Sequence, residues 1–273
     1  MKKIVTKHPV IVFCILTLIL LPVIGGLNLA FFPASFNYAL MLPQWTPALA
    51  ALLVVLIIKR KVGATELFKK ASIKKSSLKW GLTAAIIPVL CCCISYVVFV
   101  FVEYGQWVVP TFTRSISNYA ICLIATVFGC YGEEIGWRGF MLPELNKKYS
   151  LFISSLIVGL FWGIWHMRFQ IGLPAFGLFV LGVICYSFLI SWLCNKTKGN
   201  IFIAIVFHTS INMCSLILFE NFLSDIAEQQ TDIQINNPYL YVTLYGIYAV
   251  IFAIPCLFIA KNMIANKTIN QIK

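Results

Sequence analysis

The chain has 273 residues, of which 60% are hydrophobic and 11% are charged, and its formal net charge is +12. Soluble globular domains contain roughly 25% charged residues, so this composition excludes a water-soluble globule. The lysine and arginine residues lie in short segments between apolar stretches, where they act as topology signals and contact anionic lipid headgroups. Nucleic acid is therefore not expected as a partner.

Apolar stretches recur along the sequence, and each is long enough to cross the hydrocarbon core of a membrane as a helix. The predicted fold class is all-α, a polytopic transmembrane helix bundle of about eight spans in the cell membrane. No internal repeat or interior linker divides the chain, so residues 1–273 are expected to form one membrane domain. The predicted spans are residues 9–32, 42–58, 80–102, 117–142, 151–168, 173–194, 200–221 and 238–260.

The distribution of basic residues predicts the orientation of these spans, because cytoplasmic loops carry an excess of lysine and arginine. Basic residues occupy the amino terminus, the loop after the second span, and the later segments that fall on the same side after eight crossings. The loops on the opposite side contain Arg114 and Arg168 as their only basic residues. Both termini are therefore predicted to be cytoplasmic.

Two neighbouring carboxylates and an arginine lie inside the fourth predicted span, where ionisable side chains are costly and mark candidate functional sites. Glu134 and Arg138 are four positions apart, so they share a helical face on which they can pair. Glu133 points about 100° away from Glu134 on an α-helix, so the two carboxylates need not share one role. Glu134 and Arg138 alone are equally consistent with a purely structural pair.

Histidine and asparagine side chains in two other spans complete a polar set. His208 and Asn212 share one face of the seventh span, and His166, close to Trp162, can supply a second imidazole. Such residues alone often serve only to join helices. Together with Glu133 they fit peptide hydrolysis by a glutamate-activated or metal-activated water, with an oxyanion stabilised by histidine or asparagine. Glu133, His166 and His208 are also a plausible zinc set.

Three motifs resemble those of the CAAX protease and bacteriocin-processing (CPBP) family, also called Abi. Residues 132–139, GEEIGWRG, resemble the family motif EExxxR. Residues 162–166, WGIWH, resemble FxxxH with tryptophan in the first position, and residues 208–212, HTSIN, resemble HxxxN. The resemblance covers residues 121–215, which would be the catalytic core.

The resemblance implies an all-helical intramembrane endopeptidase. Glu133 would activate water with help from His166, while His208 and Asn212 would hold the oxyanion. The supporting residues would be Glu134, Arg138 and Trp162.

The resemblance leaves the cofactor as none or Zn, because the family has been described both as metalloproteases and as glutamate-dependent proteases. We favour the glutamate mechanism, since one of the two adjacent glutamates is needed to pair with Arg138 and the sequence has no HExxH motif. The expected partners are the lipid bilayer and a peptide or membrane-protein substrate, in bacteriocin immunity or peptide maturation. The alternatives are a non-catalytic immunity protein and a transporter, although the inverted repeat of many transporters is not seen.

Overall fold

The computed structural model describes residues 2–31, 42–73, 78–110, 112, 114–228 and 239–265. Helices and turns account for these ranges, and no β-strand occurs in them, which confirms the predicted all-α class. The α-helices are α1 (Lys2–Lys7), α2 (Pro9–Phe31), α3 (Thr46–Lys69), α4 (Leu78–Tyr104), α5 (Ile116–Glu134), α6 (Leu142–Asn146), α7 (Leu151–Trp165), α8 (Leu173–Lys196), α9 (Ile201–Glu228) and α10 (Leu240–Ala265). Short 3₁₀-helices cover Leu42–Trp45 and Phe169–Ile171, and a π-helix covers Ile135–Met141.

Six helical stretches of the described residues are long and apolar enough to cross a membrane, which makes the chain a multi-pass membrane protein. They are Pro9–Phe31, Leu78–Tyr104, Ile116–Asn146, Leu173–Lys196, Ile201–Phe219 and Leu240–Lys261. The predicted spans 42–58 and 151–168 fall on α3 and on the shorter apolar helix α7, which are not among the six. The count of eight and the cytoplasmic termini therefore stay predictions. Four of the lysines on which the predicted orientation depends lie outside the described residues: Lys74, Lys75, Lys267 and Lys273.

Helix α3 changes direction where its apolar part ends. Arg60 has φ 57° and ψ −154°, a conformation that interrupts an α-helix and that non-glycine residues rarely adopt. Beyond it, Lys70 donates a hydrogen bond from Nζ to the carbonyl of Gly139 at 2.8 Å, and its own carbonyl accepts from the Ile201 amide at 2.9 Å. These bonds fasten the end of α3 to the π-helix and to the start of α9.

Helices α7 and α8 form a close antiparallel pair because two glycines of α7 remove side-chain bulk at the crossing. A Cβ atom added at Gly159 would lie 2.8 Å from the Cα of Ile184, and one at Gly163 would lie 3.1 Å from the Cα of Val180. Small residues at helix crossings let backbones approach in this way. The crossing fixes the carboxyl end of α7, where His166 follows Trp165.

Candidate active site

The site is built around the junction between α5 and the π-helix. The Leu142 amide donates to the carbonyl of Trp137, five residues earlier, whereas the Ile135 amide still donates to Tyr131, four residues earlier. All seven residues of the π-helix are buried. π-helices are rare and occur often at functional sites, because they re-aim the side chains of one turn. Here the junction falls directly after Glu133 and Glu134.

Glu134 lies at the centre of a buried charge cluster. Nη1 of Arg138 donates to both carboxylate oxygens of Glu134, at 2.8 Å and 3.0 Å, and both side chains are fully buried. The Arg138 guanidinium also stacks on the Trp162 ring at 4.5 Å, a cation–π contact. The pairing that the spacing of Glu134 and Arg138 predicts is therefore present.

Glu134 also holds the imidazole of His208. Nδ1 of His208 lies 2.9 Å from Oε1 of Glu134. Because an ionised carboxylate only accepts hydrogen bonds, Nδ1 is the donor, and Nε2 remains available for other partners. The Trp162 ring packs edge-on against the His208 ring, with the centroids 4.9 Å apart, so the imidazole is held on two sides.

Glu133 is fully buried and accepts hydrogen bonds at both carboxylate oxygens. Oε2 accepts from the indole nitrogen of Trp162 at 2.6 Å and from that of Trp137 at 3.3 Å. Oε1 accepts from Nε2 of Gln44 at 2.8 Å. Hydrogen bonds of this kind fix the orientation of a buried carboxylate. The carboxylates of Glu133 and Glu134 thus have separate partners.

His166 and Asn212 make fewer hydrogen bonds than Glu133. Nδ1 of His166 donates to the carbonyl of Trp162 at 2.8 Å, which leaves Nε2 with a free lone pair in the neutral ring. The amide nitrogen of Asn212 lies 3.6 Å from the sulfur of Cys130. Thiol sulfur is a weak acceptor, so the Asn212 amide can turn to a better partner at small cost.

One cavity of about 780 Å³ joins these groups. Its lining includes Glu133, His166, His208 and Asn212, the four side chains that the sequence predicts to be catalytic. Ligand pockets have volumes of about 300–1,000 Å³, so the cavity is large enough for several residues of a peptide. Trp162, Glu134 and Arg138 are not part of the cavity lining. Trp162 contacts Glu133 and His208, and Glu134 and Arg138 are buried in the bundle.

One aromatic wall of the cavity includes Tyr186, Tyr245 and Tyr248. Arg168 lies at this wall, with Nη1 3.1 Å from the hydroxyl of Tyr245 and its guanidinium 5.0 Å from the Phe179 ring. The cavity therefore offers an apolar surface with a few hydrogen-bonding groups, in addition to the carboxylate of Glu133.

The described residues do not form a metal-ligand cluster in this arrangement. Within the described part of the chain, no three His, Cys, Asp or Glu side chains come together in a group that could hold a metal. The predicted set of Glu133, His166 and His208 therefore lines one cavity without forming a ligand cluster.

The sequence analysis does not identify two of the hydrogen-bond donors to Glu133, Trp137 and Gln44. Trp137 lies four residues after Glu133, so helical spacing alone could have identified it. Gln44 is 89 residues away from Glu133, and the only local signal is its position between Pro43 and Pro47, which predicts a break before the helix.

Part of the chain is similar in sequence to known membrane proteases. The sequence profile of the family described as "Type II CAAX prenyl endopeptidase Rce1-like" matches residues 113–214. A protein called CAAX prenyl protease 2, from Methanococcus maripaludis, is 34% identical over 105 residues, which make up 34% of this chain and 37% of that protein.

Two further relatives are called lysostaphin resistance protein A. The protein from Staphylococcus haemolyticus is 27% identical over 152 residues, 55% of this chain and 40% of the relative. The protein from Staphylococcus aureus is 24% identical over 220 residues, 80% of this chain and 51% of the relative. The chain thus spans about half, or less, of the length of these curated relatives. These matches, together with the three motifs, support a CPBP family protein, and the family profile covers residues 113–214.

Proposed function

We propose that this protein is an intramembrane endopeptidase of the CAAX-protease type that hydrolyses a peptide bond with a water molecule activated by Glu133. The proposal depends on one observation: Glu133, His166, His208 and Asn212, which come from three helical segments, line the same cavity. A carboxylate base beside imidazole and amide donors is the set that amide hydrolysis requires.

In the first step, Glu133 removes a proton from the water as the water oxygen bonds to the substrate carbonyl carbon. The O–H electron pair forms the new C–O bond, and the π electrons of the carbonyl move onto its oxygen. Nε2 of His166 accepts a hydrogen bond from the second O–H group of the water and orients the attack.

The resulting oxyanion needs donors. The Asn212 amide, which has only the weak Cys130 acceptor, turns to it, and the imidazolium form of His208 donates from Nε2 while Nδ1 stays on Glu134. The oxyanion pair then reforms the carbonyl and the C–N bond breaks. The leaving nitrogen takes the proton from Glu133, which returns to its carboxylate form.

The residues behind the cavity position these groups. Trp162 holds Oε2 of Glu133 and packs against His208, while Arg138 neutralises Glu134 so that two adjacent buried carboxylates are tolerated. The glutamate mechanism is supported by the hydrogen bonds at both oxygens of Glu133, which hold the carboxylate in a fixed orientation as a base.

The substrate would be a peptide or a membrane protein that reaches the cavity from the bilayer or its surface. The aromatic wall with Tyr186, Tyr245 and Tyr248 would bind apolar side chains next to the scissile bond. The relatives from Staphylococcus haemolyticus and Staphylococcus aureus bear the name lysostaphin resistance protein A, so a role in resistance or immunity belongs to the same proposal.

The deciding experiment measures cleavage of a fluorogenic peptide panel by detergent-purified protein, with and without a strong chelator. We expect Glu133→Gln to abolish cleavage and the chelator to leave wild-type cleavage intact. The matched control is Glu144→Gln, because this carboxylate pairs with Lys147 outside the cavity and should not affect cleavage. Loss of wild-type cleavage with the chelator would establish a metal mechanism. Cleavage by Glu133→Gln at the wild-type rate would refute the proposal.

A further inference from the structure

We propose that Gln44 is a positioning residue of this active site, which holds the carboxylate of Glu133 in the orientation needed to receive a proton from water. The inference rests on the proposed function and adds a residue outside the three motifs. The observation behind it is the 2.8 Å hydrogen bond from Nε2 of Gln44 to Oε1 of Glu133, across 89 residues of sequence.

The two oxygens of Glu133 have unequal sets of partners. Oε2 accepts from two indole nitrogens, those of Trp162 and Trp137, which lie behind the carboxylate. Oε1 accepts from Gln44, and both Gln44 and Glu133 line the cavity. Oε1 therefore keeps a lone pair for the proton of the water, and Gln44 sets the direction of that lone pair.

The segment that carries Gln44 is held firmly against α5. The indole nitrogen of Trp45 donates to the carbonyl of Phe128 at 3.1 Å, and the two rings pack with centroids 4.8 Å apart. The Thr46 hydroxyl donates to the carbonyl of Pro43 at 2.8 Å, which closes the turn. A side chain on an anchored turn loses little entropy when it makes a hydrogen bond, so Gln44 is suited to positioning.

Glycines on α5 create the space into which the segment fits. A Cβ atom added at Gly132 would lie 2.8 Å from Cγ of Trp45 and 3.0 Å from the carbonyl oxygen of Gln44. A Cβ atom added at Gly129 would collide with the carboxamide of Gln44 itself. A substitution at Gly129 would therefore displace the Gln44 amide while leaving the Gln44 residue itself unchanged.

Packing alone does not explain a glutamine at this position. Oε1 of Gln44 is buried and has no hydrogen-bond partner among the described residues. A buried acceptor without a partner destabilises the fold, and an apolar side chain of the same length would avoid that penalty. The bond from Nε2 to Glu133 is the compensating interaction, which indicates that the amide serves the carboxylate.

The first test replaces Gln44 by methionine, which has a similar length and no donor. Hydrogen bonds to charged groups have effects that correspond to a factor of about 10–100, so kcat should fall about 10- to 100-fold. KM should stay within about twofold, because Gln44 acts through Glu133 and not through substrate binding. Infrared difference spectra should show a shifted carboxylate stretching band of Glu133, assigned by its loss in Glu133→Gln.

The second test leaves Gln44 in place and introduces Gly129→Ala, which pushes the flexible amide away from Glu133. We expect the same fall in kcat and the same band shift as in Gln44→Met. The control is Gly177→Ala on α8, where an added Cβ atom would have nothing within 4 Å, so kcat and the band should not change. Agreement of two independent variants guards against a folding defect in one of them.

The outcomes separate this inference from the proposed function. If wild type and Glu133→Gln behave as proposed and Gln44→Met keeps the wild-type kcat, the positioning role is wrong. It is equally wrong if kcat falls while the Glu133 band stays in place. If Glu133→Gln cleaves as well as wild type, the proposed function fails, and a band shift in Gln44→Met still establishes the coupling of Gln44 to Glu133.

Discussion

Nδ1 of His208 lies 2.9 Å from Oε1 of Glu134, and this bond joins α9 to the end of α5 inside the bundle. The same carboxylate pairs with Arg138, so one buried glutamate both orients an imidazole and neutralises an arginine. Removing one member of a buried ion pair is far more disruptive than removing an exposed charge, because the partner is left without compensation. Stability and activity should therefore depend on different residues of the site.

The Glu134–Arg138 pair should matter most for stability. Arg138→Met leaves Glu134 buried without its cation and should lower the free energy of unfolding by about 3–5 kcal/mol. Denaturant titration in mixed micelles measures this loss. The double variant Glu134→Gln/Arg138→Met, which removes both charges, should recover part of it. Equal stability of Arg138→Met and wild type would contradict the structural role of the pair.

Asn212 should matter for catalytic activity and have little effect on stability. Its amide has only a 3.6 Å contact with the sulfur of Cys130, so Asn212→Ala should change the free energy of unfolding by less than about 1 kcal/mol. Loss of one oxyanion donor typically lowers kcat about 100- to 1,000-fold, and we expect a fall of that size. Steady-state cleavage kinetics on the peptide panel provide the measurement. A stable variant with wild-type kcat would exclude Asn212 as an oxyanion donor.

Residue spacing could predict the parts of the site that lie within one helix. Glu134 and Arg138, and likewise His208 and Asn212, are four apart, and the structure places each pair on a common side. Spacing could not predict the π-helix at Ile135–Met141, because its wider turn arises from tertiary packing. It could not predict Gln44 either, since that contact depends on how the turn before α3 fits against the glycines of α5.

The two tryptophans that donate to Oε2 of Glu133 provide a graded test. Trp162→Phe removes the 2.6 Å bond and keeps an aromatic ring over Arg138, so kcat should fall about 10-fold or more with little loss of stability. Trp137→Phe removes the 3.3 Å bond to the same oxygen and should have a smaller effect, because long hydrogen bonds are weaker. Cleavage kinetics of both variants under one set of conditions give the comparison. A larger effect at Trp137 would show that the shorter bond is not the one that matters for catalysis.

The contact between Gly136 and Pro47 should couple the packing of α3 to the active site. A Cβ atom added at Gly136 would lie 2.6 Å from the carbonyl carbon of Pro47 and 2.8 Å from its oxygen. These are backbone atoms, so Gly136→Ala must displace the chain around Pro47, and overpacking of this kind typically lowers the free energy of unfolding by about 1–3 kcal/mol. The displaced segment carries Gln44, so the bond to Glu133 should lengthen and kcat should fall as well.

Gly177→Ala is the matched control, since it adds the same methyl group where nothing lies within 4 Å and should be neutral or stabilising by about 0.5–1 kcal/mol. The free energy of unfolding and the cleavage rate, measured on both variants, test whether the packing of α3 is coupled to the active site. Wild-type stability in Gly136→Ala would show that α3 and the π-helix are not packed as tightly as this contact requires.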